Sequence, residues 1–146
     1  MKPNIFLADI CEPSVSDLER EPSSLRRAWV AVTALLHFAD FLAAERGLSV
    51  AAIRIEFYST YPKFKLVKDI SIASKHFVVT HDGERKGLSV ENTKVGASAA
   101  FSDGSYFSDG TSFADHRDVV RVEYNAEIID LVHLCKECLA YLKTKV

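Results

Sequence analysis

The segment from Lys68 to His76 combines the side-chain types that proton transfer and phosphate binding need; it reads Lys-Asp-Ile-Ser-Ile-Ala-Ser-Lys-His. Residues seven apart on a helix nearly superimpose, so Lys68 lines up with Lys75, and Asp69 with His76, at about 10 Å. That distance is too long for a hydrogen bond between Asp69 and His76 within one helix. A His beside a Lys at a helix end can act as a proton-transfer group next to a phosphate-binding cation. The alternative is a solvated last turn whose Lys and His complement the helix dipole.

A second polar pair, His37 and Asp40, lies three residues apart on the most hydrophobic stretch of the chain. On a helix this spacing turns both side chains to one side. A buried carboxylate is costly unless it is paired, so we expect the pair to find polar partners from elsewhere in the fold. One interpretation is a catalytic base with its orienting acid. The favoured interpretation is a polar clamp that sets how the central helices pack.

Three cysteines, Cys11, Cys135 and Cys138, cannot all pair within one chain. Their low density predicts reduced thiols in a cytoplasmic protein. Cys135 and Cys138 form a Cys-x-x-Cys motif, which in a loop would suggest zinc or redox chemistry. Here the motif falls inside a predicted helix, and no second cysteine pair completes a closed zinc site. We interpret these cysteines as buried core residues and expect neither a metal nor a cofactor.

Three successive six-residue units, which start at Phe101, Phe107 and Phe113, place Phe first and Asp third. Carboxylates at this density are hard oxygen ligands, so one interpretation is a calcium loop. The spacing matches neither an EF-hand nor the glycine-dense nonapeptide calcium repeat. We favour a pair of Asp-Gly turns in a Ser-rich insertion, with each Phe packed against the domain. Calcium should then leave the melting temperature unchanged.

The chain has 146 residues, 48% of them hydrophobic, and a formal net charge of -2. This length and composition predict one globular domain (1–146) with a sizeable core, and exclude a global positive field that attracts nucleic acid. Bases outnumber acids locally between residues 54 and 75, where we expect a weak positive patch. The apolar stretch 28–44 contains His37 and Asp40 and is slightly short for a membrane span, so we interpret it as a buried core helix. We expect no signal peptide at the N-terminus.

Apolar periodicity and capping residues predict an α+β fold, mainly α: a helical bundle with a small antiparallel sheet or hairpin insertion before the last helix. The predicted segments are an acidic stretch with at most short helices (1–22), a helical core (23–76), a small sheet with a Ser/Gly-rich loop (77–124) and a closing helix (125–146). Within them we predict helices at 25–46, 50–60, 63–76 and 126–143, the last capped by Asn125, and strands at 77–80, 87–95 and 119–124.

These features together resemble a group of small bacterial proteins within the HEPN superfamily, over roughly residues 24 to 143. The resemblance rests on the apolar helix with His37 and Asp40, the helix that ends at Pro62, and Asp69-Ile70 followed by Lys75-His76-Phe77. HEPN proteins are helical bundles, often homodimers, and many are metal-independent ribonucleases of toxin-antitoxin and phage-defence systems. Their signature is an Arg followed, after four to six residues, by a His. This chain has no such pair; the nearest candidate for the Arg position is Lys68, with seven residues between it and His76.

Because Lys lacks the bidentate guanidinium fork of Arg, the missing signature favours a non-catalytic binding or accessory protein of a bacterial defence or toxin-antitoxin system. In the alternative, a metal-independent HEPN-like ribonuclease toxin, His76 is the general base and the phosphate is held by Lys75 and Lys68. The residues that would support this site are His37, Asp40 and Asp69. The resemblance and the apolar helix 25–46 both predict a homodimer, and RNA or a partner protein is the further partner we consider. No membrane partner is expected.

Overall fold

The computed structural model describes residues 1–74, 78–81, 84–97 and 118–146. Lys75, His76 and the repeat from Phe101 to 117 therefore lie outside the described residues. The fold is α+β and mainly α, as predicted. Its helical elements are α1 (Pro3–Phe6), a π-turn (Leu7–Cys11), α2 (Glu12–Arg20), α3 (Leu25–Arg46), α4 (Val50–Thr60), α5 (Lys63–Ala73), a 3-10 turn (Val90–Asn92) and α6 (Leu131–Lys143). Its strands are β1 (Val78–His81), β2 (Glu84–Ser89), β3 (Thr93–Ala97), β4 (Asp118–Tyr124) and β5 (Glu127–Asp130).

The N-terminal arm, as we call residues 3–20, is one uninterrupted helical run, so the prediction of at most short helices there is wrong. Pro13 explains why its middle is a π-turn. A Pro ring inside a regular α-helix clashes with the carbonyl four residues before it, and a wider turn just ahead of the Pro relieves that clash. The N–H of Glu12 accordingly donates to the carbonyl of Leu7, five residues back. The arm packs against α3, and Leu18 is fully buried.

The central helix α3 has the predicted bounds. The hydroxyl of Ser24 accepts the N–H of Arg27 at its start, and Gly47 ends it with φ 63°, a left-handed conformation that glycine adopts at little cost. Ten of its 22 residues are buried, which is typical of a core helix. By length and composition alone α3 is also long and apolar enough to cross a membrane, and 56% of its most apolar stretch is buried inside the fold.

The next two helices form a hairpin beside α3. Helix α4 has the predicted bounds, with Ser49 as its N-cap. Helix α5 ends at Ala73, three residues before the predicted end at His76. The hydroxyl of Ser74 donates to the carbonyl of Ser71 at 2.7 Å, and a side chain that engages a last-turn carbonyl competes with continued helix.

The β-region is a two-stranded hairpin, β1–β2, and a separate antiparallel sheet of order β3–β4–β5. The predicted single strand 87–95 is wrong, because the 3-10 turn at Val90–Asn92 divides it between β2 and β3. Val120 and Val122 of β4 lie in the hydrophobic core with the helices. The N–H of Val120 also donates to the carbonyl of Pro22 at 2.7 Å, so a hydrogen bond connects the sheet with the segment just before α3.

The last helix begins later than predicted. Asn125 and Ala126 have φ values of 51° and 64°, so they form a tight turn that returns the chain as β5 instead of starting a helix. The carboxylate of Asp130 then caps α6 by accepting the N–H groups of Val132 and His133. The prediction of Asn125 as N-cap and of a helix from 126 is therefore wrong by five residues.

Candidate functional site

An open groove of about 1060 Å³ runs between α3 and the N-terminal arm. Most of its wall is apolar, from Phe6 and Ile10 on the arm to Trp29, Val30 and Phe41 on α3. Its remaining lining residues are Leu25, Arg26, Thr33, Ala34, His37 and Asp40. Val30 is 49% exposed and Ile10 40%. A contiguous exposed apolar surface rimmed by polar groups is typical of an interaction or ligand site.

The sequence leaves this groove open because α3 is apolar around most of its circumference. The rest of the bundle covers one side of α3, where Val32, Leu35 and Phe38 are fully buried. The opposite side carries Val30 and Trp29, and the N-terminal arm covers it only in part. A surface helix normally places polar residues on its outer face, so the apolar outer face of α3 is the exception.

A polar cluster of three residues, His37, Asp40 and Arg54, lies at one end of the groove. Nδ1 of His37 donates to Oδ2 of Asp40 at 2.7 Å, and a terminal guanidinium nitrogen of Arg54 on α4 donates to Oδ1 at 3.4 Å. The side chains are 44%, 36% and 30% exposed, in that order. The predicted partner from elsewhere in the fold is therefore present, because Arg54 of α4 contacts Asp40 of α3, but the expectation that the carboxylate is buried is wrong. The pair is on the rim of the core because the groove exposes this side of α3.

Arg54 is the member of the cluster that sequence reasoning did not find. The sequence offered one indication of it: Arg54 lies on the helix that follows α3, and an Arg there can reach a carboxylate on α3. Because both carboxylate oxygens of Asp40 have donors, His37 is held in one orientation and Nε2 is the ring nitrogen left for proton transfer. Thr33 lies on the same side of α3 as His37 and Asp40, and its hydroxyl is hydrogen-bonded to the Ser71 hydroxyl at 3.2 Å.

The second predicted site, on α5, is only partly described. Nζ of Lys68 lies 3.4 Å from Oδ1 of Asp69, whose side chain is 5% exposed. Lys68 also packs 5.9 Å from the centre of the Tyr58 ring and is only 16% exposed, so it is part of the bundle and not a projecting cation. Burial raises the pKa of Tyr58, an effect that Arg54 opposes and Asp69 reinforces. The positions of Lys75 and His76 relative to these groups lie outside the described residues.

The three cysteines are buried, and none of them forms a disulfide. Burial raises the pKa of the Cys11 thiol to about 12 and also raises those of Cys135 and Cys138. Each of the other two thiols raises the pKa of Cys138 further, which places all three in one part of the core. Thiols with such raised pKa values are poor nucleophiles and poor metal ligands. Within the described part of the chain, no group of three or more His, Cys, Asp or Glu side chains is arranged to hold a metal ion.

Comparison of the chain with protein-family models, with curated proteins and with solved structures finds no match.

Proposed function

We propose that this chain is a cytoplasmic, non-catalytic binding or accessory protein of the HEPN-like kind that its sequence resembles, and that it serves a bacterial defence or toxin-antitoxin system through its groove. The observation that carries the proposal is the composition of the groove. Val30, Ile10 and the half-buried Trp29 form a contiguous apolar surface open to solvent. Covering such a surface with another protein is favourable, because it removes apolar area from water.

The distribution of polar groups supports binding over catalysis. In a catalytic cleft several polar side chains converge on the reacting atom, whereas in this groove the histidine and the carboxylate lie at one end only. The Asp40 carboxylate is occupied by His37 and Arg54, so it orients its neighbours and is not a free base. The sequence also lacks the Arg and His spacing of HEPN ribonucleases.

One contact favours the alternative function, a metal-independent ribonuclease. Arg54 reaches the His37–Asp40 pair from another helix, so the fold supplies a guanidinium beside an oriented histidine that the sequence spacing did not predict. Such a group can stabilise the charge that develops on a phosphate during cleavage. In this alternative His76 and Lys75 stay in their proposed roles as general base and phosphate ligand.

RNA cleavage in the presence of EDTA separates the two functions. We expect the purified wild-type protein to leave single-stranded and structured RNA intact over hours at micromolar protein. Cleavage that survives EDTA and is lost in His37→Ala or His76→Ala, with the free energy of unfolding within about 1 kcal/mol of wild type, would overturn the non-catalytic proposal. The matched control is His133→Ala, because His133 is exposed on α6 and lines no part of the groove.

A further inference from the structure

The groove is a long, continuous face of one helix and not a closed cavity. Its α3 lining runs from Leu25 to Phe41, a length of about 24 Å at about 1.5 Å per residue. The N-terminal arm forms a wall along part of this face, through Phe6 and Ile10, which lie one turn apart. A face of this length matches about four and a half turns of a second helix. An amphipathic helix is the protein element that covers such a face with one regular stripe of apolar side chains.

The middle of the groove favours close approach of a second helix. Thr33 and Ala34 are the small residues there, and the larger Val30 and His37 lie on either side of them along α3. Small side chains at a crossing point bring two helix axes towards the short end of the usual range of about 8–10 Å. The Thr33 hydroxyl is hydrogen-bonded to the Ser71 hydroxyl, so the centre of the groove needs no polar partner. A large apolar side chain of the second helix fits at this point.

Of the two charged residues that line the groove, Arg26 is the one left for a partner. Both carboxylate oxygens of Asp40 already accept hydrogen bonds within the fold. Arg26 is exposed, and its side chain forms no hydrogen bond or ion pair with any of the residues that the structure describes. The adjacent Arg27, in contrast, pairs with Glu21 of the segment before α3 at 2.9 Å. The fold therefore uses one of two neighbouring arginines and leaves the other in the groove.

The polarity of α3 gives the second helix a direction. Helix α3 begins at Leu25 and has no acidic residue in its first turn, so the positive end of its dipole adds to the charge of Arg26. A helix carries the negative end of its dipole at its C-terminus, and acidic side chains in the last turn increase that negative charge. The C-terminal end of the second helix is therefore the end that complements Arg26.

We infer that the groove binds one amphipathic helix of another protein, which runs antiparallel to α3 and brings acidic side chains of its last turn to Arg26. The apolar face of this helix covers Trp29 and Val30 and supplies most of the affinity, while the acidic end fixes its direction. The inference rests on the proposed function, since it takes the groove as a protein-binding surface, and it names the class of partner.

Synthetic peptides without tryptophan test the inference. Each has about 18 residues of Ala and Gln, with Leu at alternating three- and four-residue spacing. The acidic peptide has two Glu in its last turn, the basic peptide has two Lys there, and the reversed peptide has the two Glu in its first turn. Each is titrated into about 0.5 μM protein, at which self-association is weak. The emission of Trp29, the one tryptophan of the chain, reports cover of the groove.

We expect the acidic peptide to shift the emission to shorter wavelength with a Kd below about 50 μM. The basic and reversed peptides should bind at least about fivefold more weakly, because they place a cation or no charge beside Arg26. Arg26→Glu should reverse the preference: the acidic peptide should bind at least about fivefold more weakly than to wild type, and the basic peptide at least about fivefold more tightly. A variant that merely unfolds would weaken both peptides, so the reversal identifies a direct contact.

Two further comparisons control the site. Val30→Glu should weaken the acidic peptide at least about tenfold, whereas Ile55→Glu, at a 67% exposed position on α4, should leave its affinity within about twofold of wild type. Lys65→Glu reverses an exposed charge on α5 and should likewise have less than about a twofold effect.

Three results would overturn the inference. The first is no emission shift with the acidic peptide up to about 500 μM. The second is equal affinity for the acidic and basic peptides in wild type and in Arg26→Glu. The third is an emission shift caused by oleate but by none of the peptides, which would assign the groove to a lipid chain. None of these outcomes depends on RNA cleavage, so the inference and the proposed function can fail separately.

Discussion

Replacement of Asp40 by Ala tests whether the His37–Asp40–Arg54 cluster is partly solvated, as its exposure indicates, or energetically buried. The change removes the acceptor of the His37 ring N–H, at 2.7 Å, and of the Arg54 guanidinium, at 3.4 Å. Both partners stay partly in water, since His37 is 44% exposed and Arg54 30%. Water can therefore replace the lost acceptor on each of them. No large void forms either, because the Asp40 side chain is itself 36% exposed.

These contacts set the size of the effect. A hydrogen bond of this kind contributes about 0.5–1.5 kcal/mol to the free energy of unfolding, and an exposed ion pair about 0.2–1 kcal/mol. The higher helix propensity of Ala offsets about 0.5 kcal/mol. We therefore expect Asp40→Ala to lower the free energy of unfolding by about 1 kcal/mol. A fully buried pair broken in the same way would cost about 3–5 kcal/mol.

Equilibrium unfolding in urea measures this difference. The experiment is best made at low protein concentration, because the homodimer that the sequence predicts would add a concentration-dependent stabilisation. Glu45→Ala, which removes an exposed acid from the same helix, is the matched control and should change the free energy by less than about 0.5 kcal/mol. A loss above about 3 kcal/mol for Asp40→Ala would refute the reasoning and show that the cluster behaves as a buried pair.

Three further predictions concern the core, the thiols and acid stability. Phe57→Ala should lower the free energy of unfolding by about 3–5 kcal/mol in urea, because the ring is fully buried and packs edge-on against Tyr141 at 5.4 Å; a loss below about 2 kcal/mol would contradict it. Cys138 should react with a thiol reagent at about pH 8 only after unfolding, and labelling at the same rate in native protein would show that burial does not protect it. A hydrogen bond from Lys63 lowers the pKa of Glu137 below its ordinary value of 4.5. The pair therefore stabilises the fold fully above pH 4.5, and this stabilisation is lost as the pH falls through the lower pKa that Glu137 has in the folded protein. Both side chains are more than a third exposed, so Glu137→Gln should remove a small but measurable part, below about 1 kcal/mol, of the change in the free energy of unfolding with pH. A variant with the same pH dependence as wild type would contradict the lowered pKa of Glu137.

The helical part of the fold was predictable where local chemistry marks both ends of a helix. Helices α3 and α4 have the predicted bounds, and Ser24, Gly47 and Ser49, which flank them, are residue types common at helix ends. The errors occurred where backbone geometry overrides residue preference. Asn125 is a common N-cap, but it is also a common left-handed turn residue, and here it turns the chain into β5. Pro13 commonly ends a helix, yet a π-turn lets the N-terminal arm pass through it.

The candidate site was predictable only within single helices. The spacing of His37 and Asp40 placed them on one side of α3, and the structure confirms their hydrogen bond. Arg54 joins them through the packing of α4 on α3, which no spacing along the chain encodes. The exposure of the pair depends on a second tertiary contact, because the N-terminal arm covers α3 only in part and so leaves the groove open. The ribonuclease alternative that uses Lys75 and His76 stays a prediction.

The emission of Trp29 tests most directly whether the groove is a binding surface, because the homodimer that the sequence predicts would cover it. Trp29 is the chain's one tryptophan, and it lines the groove. On dilution from about 100 μM to below about 1 μM, a range that spans ordinary dimer affinities, its emission should shift to longer wavelength and acrylamide quenching should increase. Val30→Glu, in the groove, should show the long-wavelength, quenchable signal at every concentration, whereas Ile55→Glu, at a 67% exposed position on α4 outside the groove, should follow the wild type. An emission maximum and quenching constant that are the same across the whole range in wild type and Val30→Glu would contradict the account.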